Sequence, residues 1–217
     1  DHQVMISGNS GVGKTRIVQE FYKNKLADKV PIASSKFDTL QRNTPYSALL
    51  AAMKELVRKL LREDDEKLHY WKTRFLTYLK ENTSIIVEVI PEVEAITGVQ
   101  PQVNPLPPDE AQKRFQQTFV SFIAAFTNNE QSFILFLDDL QWADIASIRL
   151  IELLLLDDSI KNFLFIGAYR DNEVDPTHAL AISLRKQEKW VNLSSLQLTA
   201  LVKTETAELI TETLQQP

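Results

Sequence analysis

Residues 8–15 read GNSGVGKT, a full match to the pattern G-x-x-x-x-G-K-[ST]. The chain has five glycines, and three of them, Gly8, Gly11 and Gly13, fall inside this octet. These residue types at this spacing suit one chemistry. The glycines let successive backbone N–H groups curl around a phosphate without a Cβ in the way. A helix starting behind them turns its positive end to the same anion. Lys14 would reach the β- and γ-phosphates, and the Thr15 hydroxyl would ligate Mg²⁺. The plain alternative is a glycine-rich turn that holds no ligand.

Two further groups belong with the octet. Asp138 and Asp139 follow the apolar run Phe133 to Leu137, at the carboxyl end of a buried strand, where open α/β sheets gather their ligand chemistry. Asp138 would hold Mg²⁺ through a bound water. Asp139 would orient or deprotonate an attacking water, or sit beside the metal. Arg170 ends the next apolar run, Phe163 to Ala168. Its guanidinium could sense a terminal phosphate, or it could form a structural ion pair with Asp171 or Glu173. His2, His69 and His178 have no metal-ligand spacing. Trp142 reads as a packing residue.

The elements that must carry these groups follow from periodicity. Val4 to Ile6 is β-compatible and feeds the octet, and Ile17, Val18, Phe21, Tyr22 and Leu26 then fall at helical spacing. Ile32 to Phe37 is a second strand. Helices follow at Tyr46 to Leu61 and Leu68 to Leu79, and the charge run Arg62 to Lys67 between them reads as a solvated turn. Local propensity makes Ser84 to Ile90 a strand, and Pro91 is a possible first residue of a short helix. A Pro-rich loop precedes a helix for which Asp109 and Gln112 form a capping-box pattern. Phe115, Phe119, Phe122 and Phe126 line one side of it, as packing against a sheet requires. Asp144 caps a helix over Ile145 to Leu156. Val191 to Leu198 is a last strand, and Lys203 to Leu214 a final amphipathic helix. Strands alternating with helices give an α/β fold with a mainly parallel sheet.

Composition excludes other classes. Lys and Arg number 24 against 29 Asp and Glu, a net −5 that disfavours a general polyanion binder, and no basic-aromatic interleaving suggests a nucleic-acid partner. With no Cys there are no disulfides or thiolate metal sites. No apolar run approaches a membrane span and the first residues are not a signal peptide, so the expectation is a soluble cytoplasmic domain without membrane contact.

Beyond the octet, the stretches KFDTLQRNTPYSALL (36–50), IPEVEAITG (90–98), FLDDLQWAD (136–144) and GAYRDNEV (167–174) resemble the signal-transducing ATPases with numerous domains. That group is a branch of the AAA+-related phosphate-loop NTPases, and the chain is similar to the segment found inside large bacterial hybrid Ser/Thr–histidine sensor kinases. The resemblance implies a three-layer αβα fold with a five-stranded sheet of order 5-1-4-3-2. It implies an NTPase core over 1–198, a helical insertion at about 46–127, and the start of a helical lid over 199–217. It assigns ATP to Gly8, Asn9, Ser10, Gly11, Val12, Gly13, Lys14, Thr15 and the adjoining Arg16, Mg²⁺ to Thr15 and Asp138, and a sensor position to Arg170. It also favours helix over strand for Ile85 to Ile90. Related ATPases often carry Glu where this chain has Asp139, one methylene shorter.

Three activities are consistent with this. The first is a regulatory switch in which ATP·Mg²⁺ binding and slow hydrolysis set the state of flanking kinase and sensory domains of the same chain. The others are a nucleotide-binding scaffold that does not hydrolyse, and a small-molecule phosphotransferase, for which no Arg-rich acceptor pocket is legible. The chain starts seven residues before Gly8 and stops at Pro217. The resemblance therefore implies that the base-contacting segment and most of the lid lie outside it, with weak binding and very slow turnover as the expectation.

Overall fold

The computed structural model describes residues 2–26, 30–41, 44–127, 131–188, 190, 192–200, 202, 204–205 and 211. Five strands form one sheet: β1 (His2–Ser7), β2 (Ile32–Lys36), β3 (Phe133–Asp138), β4 (Phe163–Tyr169) and β5 (Asn192–Gln197), in the order β2-β3-β4-β1-β5. Every pairing is parallel, with Ser7 opposite Tyr169 and Gln197, and Lys36 opposite Asp138. This is the expected order read from the other edge. Because all strands point the same way, the loop after β1, the acidic pair after β3 and Arg170 after β4 emerge along one edge of the sheet.

Helices cover the two faces unequally. Helix α1 (Lys14–Phe21), continued by a wider turn over Tyr22–Leu26, covers one face, where Val18 meets Ile6, Ile134, Phe136, Ile166 and Ala168. On the other face lie α2 (Ser47–Leu60), α3 (Asp65–Leu79), α4 (Thr83–Val89), α5 (Glu92–Thr97), α6 (Pro108–Ala124), α7 (Ile145–Leu156) and α8 (Ala179–Gln187). Helices α2 to α6 lie between β2 and β3 in the chain. All six residues of β3 are buried, as expected for a strand packed on both faces. The Phe stripe is core: Phe119, Phe122 and Phe126 are fully buried, with Phe75, Phe122 and Phe126 ring centroids 5.3–5.4 Å apart.

Three local expectations are corrected. Ser84 to Ile90 is not a strand; Thr83–Val89 is helix α4, packed against α6 with Ile85 and Ile86 buried. Among the described residues no strand lies beside it to take up its backbone, so packing overrides β propensity. Asp109 does not cap α6. Pro107 is the N-cap and Pro108 the first helical residue, which puts Asp109 in the first turn. Proline's preset φ starts the helix two residues early, and its missing N–H costs nothing there. The charge run 62–67 is turn only in part. Asp64 caps α3 by accepting from the Lys67 N–H at 2.9 Å, and Asp65 and Glu66 are already helical, facing the positive end of the dipole. Asp144 does cap α7, accepting from the Ser147 N–H at 2.8 Å. Val191, nearly all of the expected final helix Lys203 to Leu214 and most of the expected lid over 199–217 lie outside the described residues.

Candidate functional site

The octet forms the turn between β1 and α1. Gly8 has φ 147°, and a Cβ on it would run into the Leu198 carbonyl oxygen. The backbone there is pinned by the Leu198 N–H donating to the Ser7 carbonyl at 2.8 Å. Gly8 is thus required both by conformation and by close approach. Gly13 is the N-cap of α1 in the left-handed region, φ 96°. No side chain caps the helix there, so the first N–H groups of α1 remain for an anion.

Lys14 is the first residue of α1 and only 7% exposed. Its ammonium curls back over the loop, donating to the Gly8 and Asn9 carbonyls at 2.8 Å each. Two of its three donors are thereby used, and one is left for a ligand. Next to it the Thr15 hydroxyl donates to Asp138 Oδ2, a contact between residues 123 positions apart in sequence. Asp138 is nearly buried, and its Oδ1 accepts from the Asp139 N–H at 2.8 Å.

Asp139 takes a left-handed conformation, φ 54°, which turns the chain from β3 into the 3₁₀ turn Leu140–Trp142. Its Oδ1 accepts from Gln141 Nε2 at 2.9 Å and lies 3.5 Å from Arg170 Nε. Arg170 Nη1 pairs with Glu173 at 2.7 Å, and its guanidinium carbon stands 4.8 Å from the centroid of the Trp142 ring. Trp142 in turn donates from Nε1 to the other Glu173 oxygen at 3.1 Å. Asp171, the other partner anticipated for Arg170, accepts instead from Gln197 Nε2 at 3.2 Å.

A cleft of about 290 Å³ is lined by Ser10, Gly11, Gly13, Lys14, Thr15, Arg16, Asp138, Asp139 and Arg170. Most of the expected site residues therefore share one space. Gly8, Asn9 and Val12 belong to the loop but not to that lining. Arg16 lines the rim with its side chain largely exposed, paired with Glu20 at 2.9 Å. The donor set fits Mg²⁺: a hydroxyl and a carboxylate oxygen, both hard donors, meet at the mouth of the phosphate loop. Among the described residues no cluster of three or more His, Cys, Asp or Glu could hold a metal by itself. A cation here would complete its shell with phosphate oxygens and water, as Mg²⁺ commonly does.

This arrangement has a family counterpart. Residues 2–166 match the model of the AAA ATPase domain. The chain belongs to the AAA ATPase domain family. Over 152 residues, 70% of the chain, this AAA ATPase domain is 41% identical to hybrid signal transduction histidine kinase G of Dictyostelium discoideum, and it covers 4% of that protein. It is 24% identical over 164 residues, 68% of the chain, to histidine protein kinase 1 of Candida albicans, covering 7% of it. The AAA ATPase domain thus spans less than a tenth of the length of these curated relatives. Among solved structures it is similar to the Aeropyrum pernix ORC2 protein, solved as ADPNP–ADP complexes (TM-score 0.44, 14% identity, 98% of this chain and 45% of that one). It is similar to a Pyrobaculum aerophilum Cdc6p at TM-score 0.44 and 10% identity, covering 97% and 42%.

Sequence reasoning missed one residue of this site. Gln141, 2% exposed, bridges Asp139 and the Arg170 backbone. The available signal was a lone amide between Leu140 and Trp142, directly after a buried strand. Trp142, read as packing, also covers the Arg170 guanidinium. Among the described residues no helix is long and apolar enough to cross a membrane.

Proposed function

We propose that this AAA ATPase domain is a regulatory switch that binds ATP with Mg²⁺, hydrolyses it slowly, and sets the state of kinase and sensory domains elsewhere in a longer signal-transduction chain. The observation that carries the reading is the Thr15–Asp138 contact, which joins the phosphate loop to the end of β3 beside the free N-terminus of α1. The likeness to two histidine kinases supports the signalling context.

In this reading the loop N–H groups and the third donor of Lys14 hold the β- and γ-phosphates. Thr15 and Asp138 would hold Mg²⁺, which when bound neutralises charge developing on the phosphoryl oxygens. Asp139 orients the attacking water and takes its proton. Arg170 faces the terminal phosphate and reports its presence. Residues 1–198 act as the NTPase core with its insertion, and 199–217 begin a lid. The setting is the cytoplasm.

One feature favours a second reading, a scaffold that binds nucleotide without turnover. Asp139 is the shorter carboxylate and one of its oxygens is already engaged by Gln141 and Arg170. Product analysis after incubation with Mg·ATP separates the two. Free phosphate at a slow, enzyme-dependent rate supports the switch. Intact ATP supports the scaffold, and a phosphorylated acceptor would replace both with a phosphotransferase.

A further inference from the structure

Resting on the hydrolytic reading above, we propose that Gln141 is a positioning residue that locks Asp139 and Arg170 into one unit. Its side chain is buried at 2% exposure and makes two opposite bonds. The amide nitrogen donates to Asp139 Oδ1 at 2.9 Å, and the amide oxygen accepts from the Arg170 N–H at 3.1 Å. Arg170 Nε closes the ring, 3.5 Å from the same Oδ1. Two strand ends, those of β3 and β4, are thereby tied through one side chain.

The amide is required chemically. It must donate at one atom and accept at the other, and at this length only Gln does both. Glu would set acceptors against the Asp139 carboxylate, and Met would leave the Arg170 N–H and the Asp139 oxygen without their bonds. The backbone of Gln141 is fixed as well. Its carbonyl accepts from His178 Nε2 at 3.1 Å, because His178 Nδ1 is occupied in accepting from the Leu180 N–H at 3.2 Å. Gly167 of β4 leaves room for Leu140, whose side chain would meet a Cβ there, so the turn lies flat against β4.

The consequence concerns Asp139. With Oδ1 committed to Gln141 and Arg170, Oδ2 is the oxygen without a hydrogen bond among the described residues. It is the atom left for a water. Without Gln141 the carboxylate could rotate about χ2 and pair with Arg170 through either oxygen, so both groups would lose their orientation toward a terminal phosphate. A misplacement of this kind costs turnover without costing affinity.

The test uses Gln141→Met and Gln141→Glu in the 217-residue chain, with melting curves to verify folding. Mg·ADP affinity should stay within about twofold of the parent, while single-turnover phosphate release falls roughly 10- to 100-fold. In an Asp139→Asn background, Gln141→Met should cost clearly less than in the parent, since only its hold on Arg170 remains, whereas a merely structural role would give the full loss again. Where the parent releases phosphate, equal release by Gln141→Met overturns the proposal, as does a full additive loss in the double variant. The Arg170 Nε–H resonance of the nucleotide-free protein gives a readout that needs no turnover. Its hydrogen exchange should accelerate in Gln141→Met, and unchanged exchange overturns the proposal even if the parent releases no phosphate. A parent without phosphate release but with accelerated exchange in the variant would refute the hydrolytic reading alone.

Discussion

Replacing Gly8 by Ala should damage the phosphate loop more than the same change at Gly13, and the structure says by how much. At Gly8 two costs coincide. A φ of 147° is a region L-residues avoid, which costs about 1–3 kcal/mol. The new methyl would also overlap the Leu198 carbonyl oxygen, on a residue whose N–H is held by its bond to the Ser7 carbonyl. Overpacking of that kind costs about a further 1–3 kcal/mol. At Gly13 the backbone is left-handed, φ 96°, but nothing lies within 4 Å of a Cβ. Only the conformational cost of about 1–2 kcal/mol applies there. For a chain of this length each kcal/mol lowers Tm by about 2–4 °C. Gly8→Ala should therefore melt roughly 4–24 °C below the parent and Gly13→Ala roughly 2–8 °C below it. Thermal melts by circular dichroism on the three proteins suffice. A Gly8→Ala protein melting within a degree of the parent, or above Gly13→Ala, would refute the close approach of β5's continuation to the loop.

Lys14→Ala should weaken Mg·ATP binding by about one to two decades. One charge-assisted contact worth about 1.5–3 kcal/mol is lost, and calorimetric titration reads it directly. Asp138→Asn should abolish the Mg²⁺ dependence of binding, while Asp139→Asn should leave binding intact and slow phosphate release by about 10²–10⁴; parental turnover in Asp139→Asn would remove it from the water's path. At the acid end, the Thr177 hydroxyl and the Thr177 and His178 N–H groups hold the Asp175 carboxyl below its ordinary 3.8. Its contribution is present above that value and lost as pH falls through the lower folded one, so Asp175→Asn should flatten the acid limb of stability measured by urea titration.

The octet and the strand-end carboxylates were legible because their chemistry needs particular residue types at short spacing. GNSGVGKT states its own turn, and a fully apolar strand ending in Asp-Asp states where the second half of the site lies. The α/β alternation likewise predicts a parallel sheet, and its strand order was implied by the family likeness. What local sequence does not encode is which neighbour arrives. Ser84 to Ile90 is as β-prone as any strand in the chain, and it is helical because α6 and α5 lie beside it rather than another strand. Gln141 stands inside FLDDLQWAD, but its role was not legible for the same reason: its two partners are a turn residue two positions back and a backbone N–H 29 positions away. Of the alternatives for Arg170, the structure contains the ion pair with Glu173, which holds the guanidinium at the cleft wall.

In the proposed function, Thr15 and Asp138 complete a magnesium–nucleotide site on the phosphate loop. Calorimetric titration of ATP into the parent and into Thr15→Val, each with Mg²⁺ and with EDTA, tests it most directly. The parent should bind ATP more tightly with Mg²⁺ by about tenfold or more, and Thr15→Val should bind equally in both conditions. Identical magnesium dependence in the two proteins, or a parent that binds no ATP in either condition, would contradict it.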